Sequence, residues 1–138
     1  MGQIQVSVYI DRNPQAVFDY VGDLNTHPLY ADVVHKAWIT SKQTTGVGTT
    51  FKQVQTRSGR MTEGESEVIE WNPPDRIVWR SRKQPDSAVI YDFQKEGSGT
   101  RVVHTVCYPQ LDDPEMRRLS IEENERELEN LKRLVEAR

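Results

Sequence analysis

Apolar and polar residues change rhythm three times along this chain, and each change marks a new kind of element. Ile4, Val6, Val8 and Ile10 alternate with Gln5, Ser7 and Tyr9, the period of two expected of a strand with one buried face. Asp11-Arg12-Asn13-Pro14 then sets a capping side chain before a proline whose missing N–H costs nothing at the first helical position. Ala16, Val17, Tyr20 and Val21 follow at helical spacing, which predicts a short helix over 14–22. A second short helix is predicted within Asp23–Tyr30, capped by Asn25 or Thr26 and with Pro28 in its first turn. From His35 the rhythm returns to strands, over 35–43, 49–57, 61–71, 75–83, 87–95 and 100–108. Gly46-Val47-Gly48, Ser58-Gly59, Asn72-Pro73-Pro74-Asp75 and Glu96-Gly97-Ser98-Gly99 punctuate them as turns.

The third change brings back the helical spacing, from Pro114 to Arg138. Asp112-Asp113-Pro114-Glu115 supplies cap, proline and acid where the free N–H groups and the helix dipole favour them. Ile121, Asn124, Leu128, Leu131 and Val135 form a stripe at spacings of three and four, and at ~1.5 Å per residue the helix reaches ~35 Å. On its exposed side, Glu122 with Arg126 and Glu129 with Arg133 are oriented pairs worth roughly 0.3–0.5 kcal/mol each. Seven strands with short connections and one long helix predict an α+β fold: an antiparallel curved sheet wrapped around the C-terminal helix, two short helices after the first strand, and one domain over 1–138.

Alternation also assigns the inward faces, and with them the candidate chemistry. Ile77, Trp79 and Ser81 face in on one strand, Val89, Tyr91 and Phe93 on the next, and Val102, His104, Val106 and Tyr108 on the last. Tyr91, His104 and Tyr108 are thereby candidate polar tips on an apolar wall. They suit either a hydrophobic ligand with a few oxygens or acid–base work on one, and equally suit structural core and rim positions. Asn124 interrupts the apolar helix stripe and is read either as a polar anchor in the cavity or as an exposed residue. Glu63, Glu65 and Glu67 share one strand face, most simply a solvated convex one, which turns Thr62, Gly64, Ser66 and Val68 inward and leaves room for a ligand. Ile69 and Trp71 continue in phase with the glutamates, which leaves a bulge open. His27, Tyr30, Asp32 and His35 crowd the short-helix region, with Tyr30 the one expected to pack inward. No His-x-His pair or cysteine cluster accompanies them, so no metal site is expected.

Composition narrows the classes further. The 138 residues carry 18 basic and 21 acidic side chains for a net charge of -3, without a basic stripe, so nucleic acid is not an expected partner. The hydrophobic fraction of 36 % is low, but three Trp, five Tyr and three Phe supply apolar area from few residues. Cys107 is the only cysteine and has no activating motif, so neither an internal disulfide nor covalent catalysis is expected. Gly46-Val47-Gly48 is not followed by the Lys-Ser/Thr of a phosphate loop, and no cofactor is expected. The start Met1-Gly2-Gln3-Ile4-Gln5 lacks the regions of an export signal, and no apolar run nears the roughly 18 residues of a membrane span. A cytoplasmic monomer or homodimer is the expectation.

The order of elements resembles the helix-grip fold of the START and Bet v 1-like superfamily. Ile10-Asp11-Arg12-Asn13-Pro14-Gln15-Ala16-Val17-Phe18 is similar to that family's opening, and Gly46-Val47-Gly48-Thr49-Thr50-Phe51 to its Gly-x-Gly approach to a strand. Glu70-Trp71-Asn72-Pro73-Pro74-Asp75-Arg76-Ile77-Val78-Trp79 is similar to its central hairpin, and Gly99-Thr100-Arg101-Val102 to its penultimate strand. These phrases point to the branch often called polyketide cyclase/dehydrase-like, whose members include aromatase/cyclases and lipid and hormone binders. The resemblance implies a cavity between sheet and helix that binds a small hydrophobic molecule such as a polyketide, isoprenoid or lipid. In that reading Tyr30, Phe51, Trp79, Phe93, Val102, Val106, Asn124 and Leu128 are candidate ligand contacts. The alternative is a cyclase/dehydratase-type enzyme in which Tyr91, His104 or Tyr108 shuttles protons at a carbonyl, and a third is an interaction module with a filled interior.

Overall fold

The computed structural model describes residues 2–57, 59–84 and 86–138; Met1 and Ser58 of the expected Ser58-Gly59 turn lie outside the described residues. β1 (Gln3–Ile10) alternates buried Ile4, Val6, Val8 and Ile10 with outward partners, as its sequence dictates. It passes into α1 (Pro14–Gly22), where the Asn13 side chain accepts the Ala16 N–H at 2.9 Å and Pro14 opens the helix. The next segment is shorter than its pattern suggests. Asp23 caps a 3-10 turn over Leu24–Thr26, its carboxylate 3.1 Å from the Asn25 N–H; Thr26 then stands at the N-cap of α2 (His27–Tyr30), as expected, but its side chain makes no capping bond there.

The strands β2 (Val34–Ile39), β3 (Thr50–Arg57), β4 (Arg60–Asn72), β5 (Arg76–Ser81), β6 (Ala88–Glu96) and β7 (Gly99–Cys107) complete the sheet. Its order is β1-β7-β6-β5-β4-β3-β2, antiparallel throughout, with β1 closing one side against β7. β2 ends at Ile39 rather than 43. Beyond it, Ser41 takes the Thr50 N–H, and Gln43 donates to the Thr45 and Val47 carbonyls, so side chains use the backbone groups a ladder would need.

The acidic stretch of β4 faces outward, as the convex-face reading has it. Lys52 lies 4.0 Å from Glu63, and Arg82 lies 3.7 Å from Glu65. Thr62, Gly64 and Ser66 turn toward the concave side and line its cavity, and Val68 is fully buried. A bulge lies between Val68, opposite Trp79, and Glu70, opposite Val78. Ile69 is the extra residue and is exposed, and the resulting change of phase brings Trp71 inward onto Phe18 with ring centroids 5.1 Å apart. Gly22 answers this packing: a Cβ there would sit 2.9 Å from the Trp71 ring.

α3 (Pro114–Glu136) is capped by Asp113, whose carboxylate accepts the Met116 N–H at 3.0 Å. Leu128, Leu131 and Val135 enter the core, each contributing up to roughly 1.5–3 kcal/mol by burial. Polar contacts fix both ends of α3 to β1 and the turn after it. Arg117 donates to the Gln3 carbonyl at 2.6 Å, Lys132 to the Tyr9 carbonyl at 2.8 Å, and Arg12 to the Glu136 carbonyl. On the exposed side the pairing differs from the expected Glu122–Arg126: Glu122 joins Arg118 at 2.9 Å, while Arg126 reaches Asp32 at 3.6 Å. Both are solvent pairs of small energetic consequence.

Candidate functional site

Between the concave sheet face and α3 lies a cavity of about 460 Å³. A row of stacked rings crosses its wall. His27 of α2 stacks on Trp79 of β5 at 5.0 Å, Trp79 meets Tyr91 of β6 at 5.6 Å, and Tyr91 stacks on His104 of β7 at 4.1 Å. The row follows from strand alternation and from the direct pairing of Tyr91 with His104 across β6 and β7.

α3 contributes the polar half. Glu127 is 5 % exposed and accepts the Tyr91 hydroxyl at 2.8 Å, with His104 Nε2 at 3.3 Å from the same oxygen. His104 Nε2 also lies 3.0 Å from Asn124 Oδ1, while the Asn124 amide nitrogen donates to the Ser120 carbonyl at 2.8 Å and hydroxyl at 3.2 Å. Tyr30 extends the chain, its hydroxyl 3.5 Å from that of Tyr91. A buried carboxylate is costly unless it is hydrogen-bonded, and here Oε2 takes both contacts. Burial pushes the Glu127 carboxyl up. The hydrogen bond from His104 and the charge its ring can carry, then Arg57 and the Tyr91 hydroxyl, outweigh that, and the net direction is down. Burial, then the Glu127 charge, holds the Tyr91 and Tyr30 phenols well above their usual range, so both remain O–H donors.

His27 occupies a different environment. Its Nε2 donates to the Val21 carbonyl at 3.2 Å and its Nδ1 accepts from the Gln53 amide at 2.9 Å, so the neutral ring is satisfied on both sides. Burial lowers its pKa to about 4, against smaller raising contributions from the Val21 bond and nearby acids. His35 sits elsewhere, exposed and bonded to Thr56 at 2.7 Å, so the two histidines share no site. Among the described residues, no group of three or more His, Cys, Asp or Glu is gathered as a metal would need.

Of the residues singled out from the sequence, Tyr30, Trp79, Tyr91, His104, Val106 and Tyr108 line the cavity, Tyr108 near its half-exposed rim. Phe51, Phe93, Val102 and Leu128 pack in the surrounding core, and Asn124 lies buried behind His104. Sequence reasoning missed Glu127, Gln53 and Arg57. Glu127 had a signal: it lies three residues after Asn124 and just before Leu128, an acid inside the apolar stripe. Gln53 and Arg57 follow Phe51 at alternate positions on the same strand face, and both line the cavity.

Residues 1–136 match the sequence family described as polyketide cyclase / dehydrase and lipid transport. The chain belongs to this family. Its solved structural relatives share the architecture over nearly the full length. The protein TTHA0849 from Thermus thermophilus is 25 % identical with a TM-score of 0.80, covering 98 % of this chain and 97 % of that one. A START superfamily protein from Mycobacterium smegmatis is 15 % identical, with the same TM-score and coverage. The di-domain ARO/CYC BexL from the BE-7585A biosynthetic pathway is 18 % identical with a TM-score of 0.74, covering 99 % of this chain and 50 % of that one. No curated protein matches. The helix-grip expectation therefore holds, and family and fold together fit a cavity for a hydrophobic ligand. No helix among the described residues is long and apolar enough to cross a membrane.

Proposed function

We propose that this member of the polyketide cyclase/dehydrase and lipid transport family binds a small hydrophobic molecule of polyketide, isoprenoid or lipid-like type in the cavity between its sheet and α3. The Tyr91–Glu127–His104 chain, buried against a cavity of about 460 Å³, carries this reading. An apolar wall with a few convergent polar atoms is what an amphiphilic small molecule needs, and a structural core gains nothing from an acid held there. The volume is within the range of drug-sized ligand sites. Native mass spectrometry of gently purified protein tests it, since a discrete extra mass that denaturation releases identifies the ligand class and also reports monomer or homodimer. A bare mass, with no adduct from a broad panel of lipids and polyketide mimics, would instead favour an interaction module.

A second reading has its own support, because Tyr91 and His104 join Glu127 in one hydrogen-bonded group inside the same cavity. In a cyclase, aromatase or dehydratase, that group would move protons at a carbonyl. Acid–base catalysis of this kind is worth on the order of 10²–10⁴ in rate, and shape and proximity supply the remainder. Tyr108 at the rim would assist at most. Tyr91→Phe and His104→Phe are then expected to abolish turnover while leaving ligand binding largely intact. Turnover retained in both variants removes the catalytic assignment and leaves a binding protein.

A further inference from the structure

At its exposed end the cavity is bordered by three cations. Arg57 and Arg60 stand directly opposite each other where β3 turns into β4, so their side chains share a face, and both line the cavity. Lys83 lines it from the β5 side. Its neighbour Arg82 pairs outward with Glu65 at 3.7 Å, which returns Lys83 to the concave face. Between these positions Thr62, Gly64 and Ser66 form the floor, and a Cβ on Gly64 would meet no other atom within 4 Å, so the floor borders open space. Like charges set opposite each other across two strands cost stability, and here the protein does not neutralise them. Among the described residues, neither Arg57, Arg60 nor Lys83 forms an ion pair. Arg57 directs its Nε to the neutral Gln55 carboxamide at 2.9 Å. Glu63, the acid at the same rim, lies 4.0 Å from Lys52. The other acid lining the cavity, Glu127, is held at the buried end by Tyr91 and His104. The cavity is therefore polarised, with unpaired cations at the exposed end, and an aromatic row and a fixed carboxylate inside.

We infer that the cavity takes amphiphiles with an anionic head, a carboxylate or a phosphate monoester, seated between Arg57, Arg60 and Lys83 with the apolar body against the aromatic row. An anionic head carried to the buried end would face Glu127. At the exposed end it meets guanidinium groups, which bind carboxylates and phosphates through paired, charge-assisted hydrogen bonds. The inference rests on the ligand-binding reading above and adds the charge of the ligand and the direction in which it lies.

Calorimetric titrations of the intact protein at neutral pH test it with decanoate, monodecyl phosphate, decanol and decylamine, which share one tail and differ in the head. The two anions are expected to bind about ten- to a hundredfold more tightly than decanol, the range of hydrogen bonds to charged groups, and decylamine more weakly than decanol. Raising the salt concentration about tenfold is expected to weaken binding of the anions and not that of decanol. In the triple variant Arg57→Gln, Arg60→Gln and Lys83→Gln, the anions are expected to bind no more tightly than decanol, and decanol bound by the same variant shows that the cavity persists. The order of the four probes in the unsubstituted protein stands even if the variant fails to fold. Anions no tighter than decanol, decylamine as the tightest probe, or an anion preference that survives in the variant would each overturn the inference and leave ligand binding intact. Failure of all four probes to bind, together with a bare native mass, would overturn the ligand-binding reading and this inference with it.

Discussion

Glu127 places a carboxylate where an apolar side chain would cost nothing. It lies among apolar stripe positions, and its carboxylate is tolerable because Tyr91 and His104 both donate to it. Glu127→Leu leaves the Tyr91 hydroxyl facing hydrocarbon, while His104 Nε2 keeps Asn124, and urea unfolding is expected to show a loss of about 1–3 kcal/mol for the orphaned donor. Replacing the whole group, as Tyr91→Phe, His104→Leu, Asn124→Leu and Glu127→Leu together, is expected to return stability to the parent level or above it. A fourfold variant as unstable as the single one would mean that the group is structural. His27 makes the opposite case, since the fold is built for its neutral form. With a folded pKa of about 4 against 6.5 unfolded, protons bind the unfolded chain first as pH falls. The contribution of His27 is therefore fully present above pH 6.5, declines between 6.5 and about 4, and amounts to about 3 kcal/mol in all. His27→Gln is expected to flatten that part of the stability–pH profile, measured by urea midpoints across the window, and an unchanged slope would refute the assignment. Tyr91 and His104 were legible in the sequence because alternation alone turns them inward. Glu127 was not, because a stripe read for apolar residues passes over an acid whose partners come from two other strands.

Elements were the most legible level, and their departures have local causes. The caps at Asn13 and Asp113 stand where the sequence puts them, and each accepts an N–H from the first turn of its helix. β2 stops early because Ser41 and Gln43 capture backbone groups, a competition that hydrophobic alternation does not register. β4 holds the most instructive irregularity. Its pattern runs Glu63, Glu65, Glu67, Ile69, Trp71 in one phase, yet the glutamates face out and Trp71 packs inside, which only an inserted residue can reconcile. Removing Ile69 is expected to be tolerated, because Val68, Glu70 and Trp71 then alternate without a break and keep their partners Trp79, Val78 and Ile77 on β5. Removing Glu67 is expected to be disruptive, because the slip turns either the glutamates or Trp71 to the wrong face. Near-ultraviolet dichroism and the cooperativity of unfolding separate the two deletions. Equal damage from both would show that the bulge itself is required.

The architecture as a body was legible because turn residues and strand count leave few ways to arrange one long helix over a meander, and family membership agrees with that arrangement. The cavity was less legible. Its wall follows from alternation, but which inward residues border open space and which merely fill the core depends on how far α3 stands from the sheet. Phe51 and Phe93 share faces with Gln53 and Tyr91, yet they pack in the core. α3 also follows all seven strands in the chain, and it brings Asn124 and Glu127 with it. Until α3 docks, the aromatic row of the sheet therefore lies uncovered. A chain in that state presents an oily concave surface and is open to aggregation. A chain cut short of α3 is accordingly expected to be stickier than the finished protein.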